Sequence, residues 1–505
     1  MNQNPRSLTS STLSGLFWMF SGSGFQSILQ VLVLIVLARL LTPSDYGLLG
    51  AASVVTGISA IFGQLGVGPA IVQKQDLEPR HLRTGFTISL LLGAFLAGII
   101  CIFASPISNF FQMEGLIPLL RVMSLVLILQ GACVIAQSLL QRELRFRILA
   151  GIEVFSYFLG FGIIGILLAL MDFGAWALVG AQIVQGIAKY ILLCKFQPHP
   201  KLPKIEPLAF RELINFGTGI TIANIFNYFA RNGDYLVVGR FLGAEALGLY
   251  GRAYKLMTLP ATIFGNVADK VLFPTMAKIQ DEATKLVSGY RRSIALIALL
   301  TIPMSVFMII LAPELISVIL GKKWVDAVIP FQILSIGAMF RTSYKISEAI
   351  ARSKGAVYKI ASAHAFYAIF VLAGALIGQH WGISGVALGV LAALGIVFII
   401  LSLLALKVIS MSLKIFLAIH LPALGLAAVL CIELYGVVTF LRYFTVSPLI
   451  ILLICIIILI ITLFLLLLIN QKLFFGYDGI WAVHTIFSYL PKKFNVLSWV
   501  DKFKK

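Results

Sequence analysis

The feature that most constrains this chain is a recurrence. Apolar runs of roughly 20 residues follow one another from end to end, each long enough to cross a hydrocarbon layer roughly 30 Å thick as a helix. Lipid offers no hydrogen-bond partners, so a spanning run must satisfy its own backbone, and a helix does so within one segment. Fourteen spans are expected, at residues 14–40, 47–72, 85–111, 116–141, 149–171, 175–195, 211–242, 246–275, 289–312, 325–350, 355–378, 383–406, 414–438 and 447–470. Composition agrees. The chain is 60% hydrophobic and 12% charged, with a mean hydropathy of +1.01, whereas soluble domains carry about 25% charged residues. Outside the spans the largest segments are 196–210 and the tail after Asn470, neither long enough for a soluble domain. The first run has no A-x-A-like cleavage site and exceeds a signal-peptide core, so it is expected to stay.

Charge distribution sets the topology. The net charge is +19, but it is spread over short loops rather than gathered in one basic domain, so it reads as an orientation signal and not as a nucleic-acid surface. With the N-terminus in the cytoplasm, 26 of the 39 Lys and Arg residues fall in cytoplasmic segments. Five (Arg39, Arg240, Lys322, Lys323, Arg442) fall on the other side and eight within spans. A missed or invented span would destroy that alternation, so both termini are expected inside. The basic, aromatic tail 471–505 fits either an amphipathic helix on anionic lipid or a disordered tail. The five cysteines lie in apolar runs and suggest neither disulfides nor a zinc site.

The two halves repeat. Arg39-Leu40-Leu41-Thr42-Pro43-Ser44-Asp45-Tyr46-Gly47-Leu48-Leu49-Gly50 aligns with Arg240-Phe241-Leu242-Gly243-Ala244-Glu245-Ala246-Leu247-Gly248-Leu249-Tyr250-Gly251 at a constant offset of 201 residues, matching Arg39/Arg240, Leu41/Leu242, Gly47/Gly248, Leu48/Leu249 and Gly50/Gly251. Six spans separate the copies. An even number makes the repeat parallel, and transporters built from repeats place their site between them near the midplane. The expected fold is therefore an all-α polytopic membrane protein of about fourteen transmembrane helices. Its parts are an N-terminal segment (1–13), a six-helix lobe (14–195), a linker (196–210), a second six-helix lobe (211–406), two further helices (407–470) and the tail.

The candidate site residues are the polar groups inside apolar spans, where charge is expensive unless it faces a cavity or a partner. On the seventh span Asn224, Asn227, Tyr228, Arg231 and Asp234 recur every three to four residues, which predicts one helical face. The offset sets Gln26 on Asn227 and Gln30 on Arg231, a weaker polar face on the first span. Arg231 and Asp234 fit either a wet face or a local ion pair. Arg252 and Lys255 fit a cavity or snorkelling to the interface. Arg341 lies deep in the tenth span; Glu348, nearer its end, could pair with Lys345. Arg39 and Arg240 read as headgroup anchors, Lys189 and Lys270 as topology signals near helix ends. Glu153 reads as a surface partner of Arg145 and Arg147, and His364 as packed rather than proton-carrying. The cationic excess suits an anion. A drug-exporting cavity would need buried carboxylates, and the first half has none deep in a span. No G-x-S-x-G, H-E-x-x-H or phosphate loop is present, so a membrane-embedded enzyme is the less favoured alternative, and no cofactor is implied.

These residues carry a resemblance. Leu37–Leu48, Phe62–Gln73 and the stretch from Arg231 through Tyr250 resemble bacterial polysaccharide-export flippases, the Wzx-type branch of the multidrug/oligosaccharidyl-lipid/polysaccharide superfamily. The resemblance covers nearly the whole chain. It implies two six-helix lobes forming a V, with two added helices, in the bacterial inner membrane. It also implies an undecaprenyl-pyrophosphate-linked oligosaccharide as substrate, alternating access coupled to a proton or sodium gradient, and contact with membrane lipids and other polysaccharide assembly proteins. A multidrug exporter of the same fold is the alternative. On this reading Asn224, Asn227, Tyr228, Gln26 and Gln30 meet sugar hydroxyls. Arg231, Arg252, Lys255 and Arg341 attract the anion, and Asp234 tunes Arg231 or responds to the coupling ion.

Overall fold

The structure is a computed structural model. It describes residues 26–64, 66–200, 204–267, 276 and 282–488, and at 214–224, 260–267 and 482–488 the backbone alone. Ser23, Lys270 and the tail beyond residue 488 lie outside the described residues. Among the described residues every regular element is a helix. The spanning columns are α1 (Gln26–Leu40), α2 (Pro43–Gln64), α3 (Pro79–Ile102), α4 (Leu116–Arg142), α5 (Phe146–Leu170) and α6 (Ala175–Phe196). The helical stretch Pro207–Val267 breaks at Gly243 into α7 (207–242) and α8 (244–267). Then come α9 (Ala283–Ile310), α10 (Lys322–Ser353), α11 (Val357–Gly378), α12 (Gly382–Val408), α13 (Leu413–Tyr443), α14 (Pro448–Ile469) and α15 (Gln471–Ser488).

Ten stretches among the described residues are long and apolar enough to cross a membrane, and one of these, Val357–Val408, is the pair α11 and α12. With the shorter α1 and the arms α7 and α8, each of the fourteen expected spans has its helix. Pro207–Val267 is not among the ten; it carries Arg231, Asp234, Arg240, Glu245, Arg252 and Lys255. By contacts the chain divides into two compact units, Met1–Gly251 and Arg252–Lys505.

In the first unit the repeat copies meet. α2 starts after Thr42, whose hydroxyl donates to Asp45 Oδ2 at 2.7 Å while Asp45 Oδ2 accepts the Thr42 N–H at 2.9 Å, with Pro43 at the first helical position. In the second copy Gly243 holds the equivalent position at φ 88°, a conformation that favours glycine. A side chain on Gly47 would collide with the Ala244 carbonyl, and one on Gly248 with the Pro43 carbonyl. Those two contacts are the same pair of equivalent positions taken in opposite order, which is what a local twofold produces.

Small residues set the other crossings. A Cβ on Gly93 would lie 2.6 Å from the Leu127 carbonyl, and Gly131 lies as tightly against Ser89, so α3 and α4 touch backbone to backbone. In the second unit the G-x-x-x-G pairs Gly374/Gly378 and Gly385/Gly389 interlock α11 with α12. This is how helices associate where lipid removes the hydrophobic drive between them. Glu314 is buried and holds Arg442 of α13 through two hydrogen bonds of 2.8 Å. α15 turns at Gly476 and docks in the second unit: Asp478 pairs with Arg291 at 2.8 Å, and the Arg292 guanidinium sits 4.1 Å from the Trp481 ring.

Candidate functional site

The expected polar face of α7 opens into three environments. Tyr228 donates to the Val54 carbonyl at 2.7 Å and packs over Gly57 of α2. Arg231 is exposed, and it makes no ion pair or hydrogen bond among the described residues. Asp234 is 1% exposed and accepts hydrogen bonds from the Tyr250 hydroxyl at 2.6 Å and the Tyr235 N–H at 3.0 Å. The reason is geometric. Steps of three residues turn the helix 60° short of a full circle, so Tyr228 and Asp234 lie about 120° apart. Arg231 and Asp234 therefore do not form the local pair that their spacing allowed. Asn227 is half-buried, as are Gln26 and Gln30 on α1; the Asn224 side chain lies outside the described ones.

The remaining cations belong to the second unit. Arg341 of α10 donates to the Tyr254 hydroxyl of α8 at 2.5 Å, its guanidinium 5.2 Å from that ring. Lys255 is exposed and Arg252 half-buried. Glu348 pairs with Arg352 and, at 3.3 Å, with His364. The pair with Glu348 gives His364 a defined contact. Arg240 lies over the Phe110 and Phe241 rings, 5.5 and 5.7 Å from their centroids.

The feature that sequence reasoning missed is a cavity of about 960 Å³ within the first unit, between α2, α4, α6 and the short helix Val67–Gln73. Six glutamines line it: Gln73, Gln130, Gln137, Gln141, Gln182 and Gln185. Among the described residues none of their amides hydrogen-bonds to protein. Gln130, Gln137 and Gln141 follow i, i+7, i+11 on α4, and Gln182, Gln185 and Lys189 follow i, i+3, i+7 on α6, each series a stripe on one helix face. Two glycines bring α6 to this place. Gly186 packs on Leu129 of α4. Gly160, in the π-helical segment Phe158–Gly165 of α5, leaves room for Ala181 and Gln185, which would lie 2.5 and 2.7 Å from a Cβ there. π segments of this kind are frequent at functional sites. Lys189, the one charged lining residue among those described, has Glu153 at 3.5 Å. Among the described residues no carboxylate and no aromatic ring lines the cavity. Such a site can bind an uncharged, hydroxyl-rich group.

At the end of α3 nearest Lys74, Glu212 accepts from Lys74 at 2.7 Å and faces the buried His81 at 2.9 Å. Among the described residues no group of His, Cys, Asp and Glu could hold a metal.

The fold defines the class: a polytopic helical transporter fold. The chain is similar to the lipid II flippase MurJ in an inward closed conformation, with a TM-score of 0.70, 18% identity, and 89% of this chain and 98% of that one covered. It is also similar to an inward-facing multidrug resistance MATE family transporter of the MOP superfamily, with a TM-score of 0.58, 17% identity, and 76% and 94% covered. Residues 36–329 match the model of the family described as polysaccharide biosynthesis protein, and the chain belongs to that family. Among curated relatives, the teichuronic acid biosynthesis protein TuaB of Bacillus subtilis is 26% identical over 69% of this chain and 72% of its own length. The lipopolysaccharide biosynthesis protein WzxC of Escherichia coli is 24% identical over 76% and 79%.

Proposed function

We propose that this protein is a flippase that moves undecaprenyl-pyrophosphate-linked oligosaccharide repeat units across the bacterial inner membrane for polysaccharide export. The observation that carries the reading is a large, amide-lined cavity in a membrane-spanning bundle of a polysaccharide-biosynthesis family. No covalent chemistry is assigned. The prenyl chain stays in lipid, and the headgroup crosses as the site opens to one membrane face and then the other. Arg341, Arg252, Lys255 and Arg231 attract the pyrophosphate. The buried Asp234 responds to a coupling proton or sodium ion, and both termini lie in the cytoplasm. The MATE-like fold also accommodates drug export, but the described lining of the cavity has neither the carboxylates nor the rings that cationic drugs need.

The test is deletion in a host of known surface polysaccharide. Lipid-linked repeat units should accumulate on the cytoplasmic leaflet and surface polysaccharide should fall, both restored by the gene. Normal export without accumulation, or sugar turnover by the purified protein, would overturn the reading.

A further inference from the structure

We infer that the glutamine cavity of the first unit is the subsite for the sugar portion of the substrate, and that it selects uncharged, hydroxyl-rich oligosaccharides by their hydroxyl pattern. The inference rests on the flippase reading and adds to it a location, a donor set and a substrate class. None of the candidate substrate residues whose side chains are described lines this cavity.

The chemistry is specific. A sugar hydroxyl both donates and accepts. Each glutamine amide offers two N–H donors and a carbonyl acceptor, so one amide can bridge two neighbouring hydroxyls. Six such amides converge here with no protein partner among the described residues, and the Ser138 hydroxyl joins them. A cavity that leaves this many polar groups without protein partners is wet when empty, and a ligand that fails to replace its water hydrogen bonds loses affinity. An apolar ligand is thereby rejected. A phosphate is also disfavoured, because Lys189, the one lining cation among the described residues, is matched by Glu153. At about 960 Å³ the cavity lies at the upper end of the roughly 300–1,000 Å³ typical of small-molecule sites, so it has room for a short oligosaccharide. With no aromatic ring among the described lining residues, selection falls to the amides. The stripes on α4 and α6 converge from two walls, so a sugar in register with one meets the other.

The test uses the full chain in proteoliposomes with two fluorescent probes, a polyprenyl-pyrophosphate-linked neutral trisaccharide and polyprenyl pyrophosphate without sugar. The double variant Gln182→Leu/Gln185→Leu keeps side-chain length and removes two amides. Its translocation of the trisaccharide probe should fall at least about tenfold, the effect of losing buried hydrogen-bond partners, while movement of the sugar-free probe is unchanged. Gln182→Glu/Gln185→Glu, near-isosteric, guards against misfolding. It should fold and discriminate between the probes in the same direction, with its added charge reducing an acidic trisaccharide more than the neutral one. Equal loss for both probes, or no loss for either, overturns the subsite. If the wild-type protein moves neither probe, the flippase reading fails. The subsite is then decided by a second measurement: in Gln137→Cys, free neutral trisaccharide should slow modification of the new thiol several-fold, and no protection overturns the inference.

Discussion

The cavity of the first unit and the α8–α10 cluster of the second solve the same problem oppositely. Both place polar side chains in apolar helices. In the first unit the groups are neutral amides, left without protein partners and aimed into open space. In the second they are charged and tied to partners: Arg341 to Tyr254, Glu348 to Arg352 and His364. The difference follows from desolvation. An amide facing a wet cavity gives up little, whereas a guanidinium or carboxylate at membrane depth needs a partner. Neutral groups can be kept in reserve for a ligand, while charged ones must be shared with it.

Four measurements can break or sharpen that contrast. Arg341→Ala has the largest expected effect. It removes a charge-assisted donor, worth roughly 1.5–3 kcal/mol, so translocation of a pyrophosphate-linked sugar should fall about 10- to 100-fold, with Arg341→Lys intermediate because a point charge lacks the planar fork. Equal transport by all three proteins would remove Arg341 from the anion path. Next, Gly160→Val forces α6 away from α5 and displaces Gln185. Melting of the purified protein should show a loss of about 1–3 kcal/mol, and transport of the neutral sugar substrate should fall about tenfold. A stability loss with unaltered transport would separate the π segment from the cavity. Glu153→Gln is smaller. It leaves Lys189 unmatched and the cavity positive, so competition between acidic and neutral repeat units should shift a few-fold toward the acidic one. A shift the other way would mean that the pair does not tune the cavity. Arg231→Ala has the smallest effect. As an exposed cation it should act by steering, giving about a twofold loss at low salt that disappears at high salt. A large, salt-independent loss would return Arg231 to direct contact with substrate.

Much of the fold was legible in sequence because lipid permits so little. A run of roughly 20 apolar residues has one economical solution, and the offset of 201 residues pointed to two turns that prove to touch at Gly47 and Gly248. The site was less legible. Charges in apolar helices attract notice, and they led to Arg231 and Asp234, whose shared face is wider than three-residue spacing suggests. The glutamines carried an equally regular signal, Gln130/Gln137/Gln141 and Gln182/Gln185, but an uncharged amide is not costly enough to stand out within a helix.

The sequence by itself determined the number of spans, the parallel repeat and the family, since each depends on local hydropathy or on residue identity in register. Only the tertiary structure decided which polar residues share a space. That depended on the close approach of helices through glycines: Gly93 and Gly131 seat α4 on α3, and Gly160 and Gly186 seat α6 against α5 and α4. Two amide stripes 40 to 55 residues apart in the chain become one cavity because backbones can touch where side chains are missing, and no periodicity within a single helix records that.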